Sequence, residues 1–348
     1  MNKFALGLAV IGAITASIGF YNIAKGGMSP RPVLYEQKVL DSWTAFKAMH
    51  VKSYSSDHEE RFRLANFYES IKKIDEINSN PKNTFTAGLN KFSDLSSQEF
   101  SATYLGLKPE LFKPDPKIET LKANPDLEFG GIDWVAKGGV TPVKDQGGCG
   151  SCWSFATTGA LENLDFIQNG HLRSFSEQQL VDCDVGSYYP PTPGDNGCYG
   201  GLPMNAFEYT AVNGITTEAI YPYFERKFQC KYNRGMLEFA NSSYRMIDST
   251  VEALKTALEY GVVAVGIDGE CLRHYESGVY NYDCFNGLNH AVLVVGYKNG
   301  WFGGNGYFKV KNSWNTTFGE AGYFYISDRV GYYGNGIIGV LSAMSQAI

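Results

Sequence analysis

Cys152 stands where a glycine-rich turn, Gln146-Gly147-Gly148-Cys149-Gly150-Ser151, meets a stretch of helical periodicity. The unpaired amides and the dipole at a helix N-terminus favour negative charge, so a thiol placed there ionises more easily than a free one. The thiolate is the nucleophilic form. Phe155, Thr158, Gly159, Leu161, Glu162, Leu164, Asp165 and Phe166 recur at helical spacing, and Gly170 supplies the expected stop. The expected order is therefore loop, cysteine, buried helix.

A cysteine nucleophile needs a base to hold it ionised and to protonate the leaving group, and a further group to orient that base. Of five histidines, His50 and His58 fall in an N-terminal helical segment, and His171 and His274 fall in polar turns where a solvated surface role is expected. His290 differs, because Asn289-His290-Ala291-Val292-Leu293-Val294-Val295 puts it at the mouth of a buried strand. It could there be an ordinary hydrogen-bonded core histidine. The alternative comes from Lys311-Asn312-Ser313-Trp314, at the end of an expected strand from Tyr307 to Val310 that could lie beside it. An Asn carbonyl can accept from one ring nitrogen and fix the tautomer, and an indole can keep water off that bond. Gln146, six residues before Cys152, can turn its amide back to donate to an oxyanion alongside the Cys152 backbone N–H.

The elements that must hold these groups follow from the pattern along the chain. Its 348 residues are 44% hydrophobic and 14% aromatic, enough for a large core, and the net charge of −6 comes with no basic run interleaved with aromatics. Nucleic-acid binding is not expected. Lys3 precedes an apolar run from Phe4 to about Ile23 that reads as a signal peptide, or alternatively as an uncleaved signal anchor. Either sends the chain along a secretory, oxidising route. Helices are expected over 34–54, 59–78 and 94–104, with a short strand over 84–92. Residues 106–126, with Pro109, Pro114, Pro116 and Pro125, read as an accessible linker of the kind proteolysis favours. The boundaries are thus 1–20 for the signal segment, 21–126 for a pro-segment and 127–348 for the body.

Within the body, Ser176-Glu177-Gln178-Gln179 fits a capping box for a helix ending at Cys183, the prolines of 188–194 mark a surface loop, and 203–213 suits another helix. Short β-branched or aromatic runs at 262–267, 291–297, 307–310 and 323–326, divided by glycines, read as antiparallel strands. A helical half followed by a β half gives an α+β body with a cleft between them. Seven cysteines in an exported chain allow three bridges and one free thiol, in pairings that spacing alone leaves open.

Cys149-Gly150-Ser151-Cys152-Trp153 resembles the signature of the papain and cathepsin cysteine proteases, with His and Asn far downstream in the same order. The resemblance extends over nearly the whole chain, through Asp133-Trp134, Ser176 to Cys183, Gly197-Cys198 with Gly200-Gly201, and Asn312-Ser313-Trp314. Upstream, Glu59, Arg63, Phe67, Ile74 and Asn78, then Gly88, Asn90, Phe92 and Asp94, are similar to the two motifs of cathepsin L-like proregions.

The resemblance implies a two-lobed papain-like fold, a helical lobe facing an antiparallel β-barrel-like lobe, behind an inhibitory propeptide. It implies a cofactor-free, monomeric endopeptidase of protein and peptide substrates, lysosome-like or secreted, with no lasting membrane association. Cys152 would attack as a thiolate paired with protonated His290, Asn312 would orient His290, Trp314 would shield that contact, and Gln146 would line the oxyanion hole. Gly200 and Gly201 would present backbone to an extended substrate. Leu202, Pro203, Leu288, Ala291 and Ala343 would line an apolar pocket for the residue two positions before the cut, and Asn289 and Trp314 would also contact substrate.

By the same resemblance Cys149 pairs with Cys198, and Cys183 with Cys230. The family's usual C-terminal cysteine falls at Ile338, so Cys284 is expected to pair with Cys271. Ser70, Tyr199, Asn289, Asn315 and Phe318 also depart from the family pattern. The propeptide helices would pack on the body and feed residues 84–126 through the cleft, and acid would weaken carboxylate contacts that hold them, Asp94 among them. Cys149-Gly150-Ser151-Cys152 is also a Cys-x-x-Cys, but the βαβ context of a thioredoxin-like site is missing, and no second close Cys or His pair completes a zinc site.

Overall fold

The computed structural model describes residues 31–113, 115–127, 130–185, 195–300, 306–331 and 334–348. The apolar run at 4–23 and the proline loop at 188–194 lie outside them. Among the described residues no helix is long and apolar enough to cross a membrane.

The pro-region opens with α1 (Arg31–Met49) and α2 (Asp57–Asn78). Asp57, Glu59 and Glu60 put negative charge at the N-terminus of α2, where Ser56 caps it by accepting from the Glu59 amide. Val39, Trp43 and Phe46 of α1 meet Phe67 and Ile71 of α2 in a core of their own. After β1 (Phe85–Ala87) comes α3 (Ser97–Tyr104), started by a full capping box between Ser96 and Glu99.

The body is a helical lobe against a sheet. α4 (Cys152–Asn169) is buried along most of its length and ends at Gly170, whose φ of +72° suits a residue without a Cβ. α5 (Glu177–Cys183) and α6 (Pro203–Asn213) pack around it, the latter with proline at its first position. The sheet takes in β1 and β2 (Thr120–Leu121) of the N-terminal part. From the body come β3 (Ile132–Asp133), β4 (Tyr244–Ile247), β5 (Val263–Ile267), β6 (Tyr275–Tyr280), β7 (His290–Lys298), β8 (Tyr307–Lys311), β9 (Tyr323–Ser327) and β10 (Met344–Ala347). α7 (Val251–Tyr260) lies between β4 and β5. The spatial order β1-β6-β9-β8-β7-β5-β10-β4-β2 is an open path rather than a closed ring, so the β lobe is barrel-like only in curvature. β7 lies at its centre, buried from His290 to Tyr297, because a strand covered on both faces must be apolar throughout.

Disulfides join Cys149 to Cys198, Cys183 to Cys230 and Cys271 to Cys284, and leave Cys152 as a free, buried thiol. Pairing of Cys149 with Cys198 rather than Cys152 removes the redox reading of Cys-x-x-Cys.

Three expectations change. The strand read over 84–92 shortens to Phe85–Ala87, and the segment read as a linker is a strap along the body. Leu107 is buried in it, and β2 adds to the body sheet parallel to β4, because backbone pairing needs no apolar pattern to announce it. His274, expected in a solvated turn, is 5% exposed, since β1 docks antiparallel on β6 and covers it.

Candidate active site

Cys152 is the first residue of α4 and is fully buried. Its sulfur receives the Ala291 N–H at 3.4 Å, so the start of β7 lies directly against the start of α4. His290, which opens β7, has Nε2 2.9 Å from Asn312 Oδ1. The Ser313 N–H donates to that same Oδ1 at 2.8 Å, which fixes the atom as an acceptor and leaves the ring proton on Nε2. Nδ1 is then the basic nitrogen, and it is buried without a hydrogen-bond partner. Asn312 reaches the ring because β8 pairs with β7, with Lys311 opposite Leu293. Trp314 stacks on His290 at 4.5 Å, and Phe318 meets Trp314 edge-on at 4.8 Å, shutting water from the His290–Asn312 contact.

Gln146 is held by the chain on the other side of the cleft. Its amide oxygen accepts from Ser313 Oγ at 2.7 Å, which turns Nε2 toward the Cys149 carbonyl at 2.8 Å and the Tyr104 carbonyl at 3.0 Å. Tyr104 ends α3 of the N-terminal part, so a carbonyl of that part already occupies this donor.

The strap fills the rest of the cleft with main chain. Gly201 N–H donates to Gly106 O at 2.9 Å, Lys108 N–H to Gly201 O at 3.1 Å, and Leu107 N–H to Asn289 O at 3.0 Å. A Cβ on Gly106 would stand 1.8 Å from the Gly150 carbonyl oxygen, so only glycine permits this approach. The Leu107 side chain lies over Gly266, where Leu288 and Ala343 also converge. Leu202 and Pro203 are buried one step beyond the Gly200–Gly201 ledge, at the entry to α6. Asn289 serves through its backbone carbonyl, while its side chain bonds Asp268 and the Gly269 N–H.

Covering the site changes its charge state. Burial, outweighing the amides that point at the sulfur, pushes the Cys152 thiol up to about 11. Burial likewise lowers His290 to about 4, against the opposing hydrogen bond to Asn312. Under the covering strap the pair is therefore thiol and neutral imidazole, whereas the family resemblance implies an ion pair.

The arrangement brings Cys152, His290, Asn312 and Gln146 together, with Ala291 at the sulfur. Trp314 belongs with His290, where Phe92 and Phe100 of the pro-region cover it at 5.3 and 5.4 Å, rather than with the pocket of Leu107. Sequence reasoning missed Gly266, whose signal was a glycine inside an apolar strand, a usual mark of close approach. It also missed Tyr223, whose hydroxyl reaches Gln146 and Ser151.

Residues 130–342 match the family described as papain family cysteine protease, and residues 43–100 match the cathepsin propeptide inhibitor domain. Digestive cysteine proteinase 1 of Homarus americanus is 40% identical over 292 residues, covering 81% of this chain and 88% of its own. The cathepsin L-like peptidase of Aedes aegypti is 41% identical over 309 residues, 83% of this chain and 88% of its own. The structure of digestive procathepsin L2 proteinase from Tenebrio molitor larval midgut superimposes with a TM-score of 0.77 at 32% identity, covering 89% of this chain and 99% of that one.

Proposed function

The chain belongs to the papain family of cysteine proteases and carries a cathepsin-type inhibitory propeptide, and from that premise we propose that Cys152 and His290 hydrolyse peptide bonds by way of a thioester. When the strap leaves, water reaches the cleft and the desolvation that keeps both groups neutral is relieved, so the thiol proton passes to His290 Nδ1. The sulfur then attacks the scissile carbonyl carbon. Negative charge gathers on the carbonyl oxygen, where the Gln146 Nε2–H and the Cys152 N–H receive it. His290 Nδ1–H protonates the departing amine as the carbon–nitrogen bond breaks. It next takes a proton from water, whose oxygen displaces the sulfur and frees the acid. Asn312 keeps the other ring proton on Nε2 throughout.

The propeptide supports the substrate assignment. Leu107 sits over Gly266 beside Leu288 and Ala343, so this pocket takes a bulky apolar residue two positions before the cut. With that pocket so assigned, the strap runs from the oxyanion donors towards the pocket, the reverse of a substrate, and offers the sulfur no correctly placed carbonyl. Relatives named as digestive and cathepsin L-like enzymes favour a secreted or lysosome-like setting, with residues 1–20 removed on export, 21–126 inhibitory and 127–348 mature.

The observation that carries the proposal is the meeting of the α4 thiol, the oriented imidazole and the Gln146 amide beneath Gly106. Acid processing followed by a thiol-alkylating peptidyl epoxide should place one adduct, on Cys152, and abolish hydrolysis of fluorogenic peptides with Leu or Phe two positions before the cut. An adduct elsewhere would overturn the mechanism, and faster hydrolysis of peptides with Arg in place of Leu or Phe two positions before the cut would overturn the pocket assignment.

A further inference from the structure

The two donors proposed for the oxyanion stand at the two ends of a glycine-rich loop. Gln146 and Cys152 bracket Gly147, Gly148 and Gly150, and Gly147 lies at a φ of +57° that few other residues adopt. The Cys149–Cys198 bridge fixes the middle of this loop, and the bonds of Gln146 to Ser313 and to the Cys149 carbonyl hold its first residue. Both ends meet at one hydroxyl. Tyr223 OH donates to the Gln146 backbone carbonyl at 2.8 Å and lies 2.6 Å from Ser151 Oγ. A phenol has a single proton, already committed to Gln146, so Ser151 must be the donor in the second contact. Ser151–OH, Tyr223–OH and the Gln146 carbonyl thus form a directed chain that spans the loop from the residue before the nucleophile to the residue carrying the side-chain donor. Ser151 spends its hydroxyl on this chain instead of capping α4, where it makes no side-chain cap bond.

Tyr223 is itself fixed. Its amide donates to Glu218 at 2.8 Å, and its ring meets Phe155 of α4 edge-on at 5.0 Å. From this geometry we infer that Tyr223 is a positioning residue for the oxyanion hole, acting through Gln146 and Ser151 to hold the two donors at a set separation. It touches neither the sulfur nor the substrate. Its effect belongs to the transition state, where the oxygen carries charge, and not to substrate binding or thiol ionisation.

This inference rests on the protease reading of the same site, which the epoxide mapping tests on the unaltered enzyme. The separate test is Tyr223→Phe in acid-processed enzyme, alone and in a Gln146→Ala background. Tyr223→Phe should lower kcat about tenfold or more with KM within about twofold, since losing a whole oxyanion donor costs about 100- to 1,000-fold and a misplaced one costs less. It should leave the pH profile of Cys152 alkylation by iodoacetamide unchanged, and its effect should shrink to about twofold once Gln146 is Ala. A kcat within about twofold of the parent, an equal loss in both backgrounds, or an equal loss of alkylation rate would overturn it. If Tyr223→Phe does not fold, Ser151→Ala breaks the same chain at its other end, and the same outcomes decide.

Discussion

His290 and His274 are both buried in this chain, and their surroundings are opposite. His290 has Asn312 against one nitrogen, Trp314 across its face and the free thiol ahead of it. His274 has no hydrogen bond at either nitrogen, and it lines a cavity of about 380 Å³ between the pro-region and the body. Burial, then the positive charges of Arg273 and of Lys73 on α2, lower it to about 3. Asp268 and Glu270 face the same cavity, with Ser97 and Ser101 of α3 bonded to Glu270. Under the proposed mechanism one imidazole gains a proton from the sulfur and keeps its orientation. The other is kept unprotonated by a partner that departs. An unpartnered buried ring is tolerable only while its neutral form is the stable one.

The sharpest way to break this contrast is at His290. His290→Ala should reduce kcat/KM by at least about 10⁴-fold, the scale for losing a member of a catalytic unit. Asn312→Ala should cost about 10- to 100-fold, the range for a group that only orients an imidazole. Steady-state hydrolysis by processed enzyme checks both, and equal losses would erase the distinction between base and orienter.

The smaller effect belongs to His274. Its pKa is lowered to about 3 in the covered state, chiefly by burial, and loss of the propeptide would relieve that burial and let it rise towards its ordinary value. The covered state thus binds fewer protons, so its hold on the body is full above about pH 6.5 and is lost as pH falls towards 3, by up to about tenfold per pH unit. In a Cys152→Ser zymogen, hydrogen exchange at Phe85–Ala87, corrected for its intrinsic pH dependence, should show increasing opening over this range. His274→Leu should flatten the slope. An unchanged slope would leave carboxylates as the acid-sensitive groups. Asp94 would act only indirectly in that case, since its bonds to Lys52 and Tyr54 stay inside the pro-region.

How much the sequence disclosed divides along the same line. Cys152 and His290 were legible because each is marked locally, one by glycines running into a helical pattern, the other by the polar start of an unbroken apolar strand. Asn312 became legible once two strands were set side by side. His274 was not, because Arg273 before it and Glu276 after it give a polar local pattern, and what buries it lies almost two hundred residues upstream in β1. The course of 84–126 through the cleft follows from the propeptide resemblance, but the residues that fasten it there, 106–108, were not legible, because they act through amides and carbonyls that every residue type carries. Tyr223 is a matter of tertiary placement, since nothing in its neighbourhood points to the Gln146–Cys152 loop.

The covalent continuity of the strap has a consequence in time. While Gly106 is joined through β2 to the body, its local concentration at the cleft is of the order of millimolar whatever the amount of protein present. A single cut turns that intramolecular partner into a solute that dilutes into the surrounding volume. Activation by such a cut would be a ratchet: acid would loosen the clasp reversibly, and the first severed bond would make re-closure depend on how far the fragment can drift.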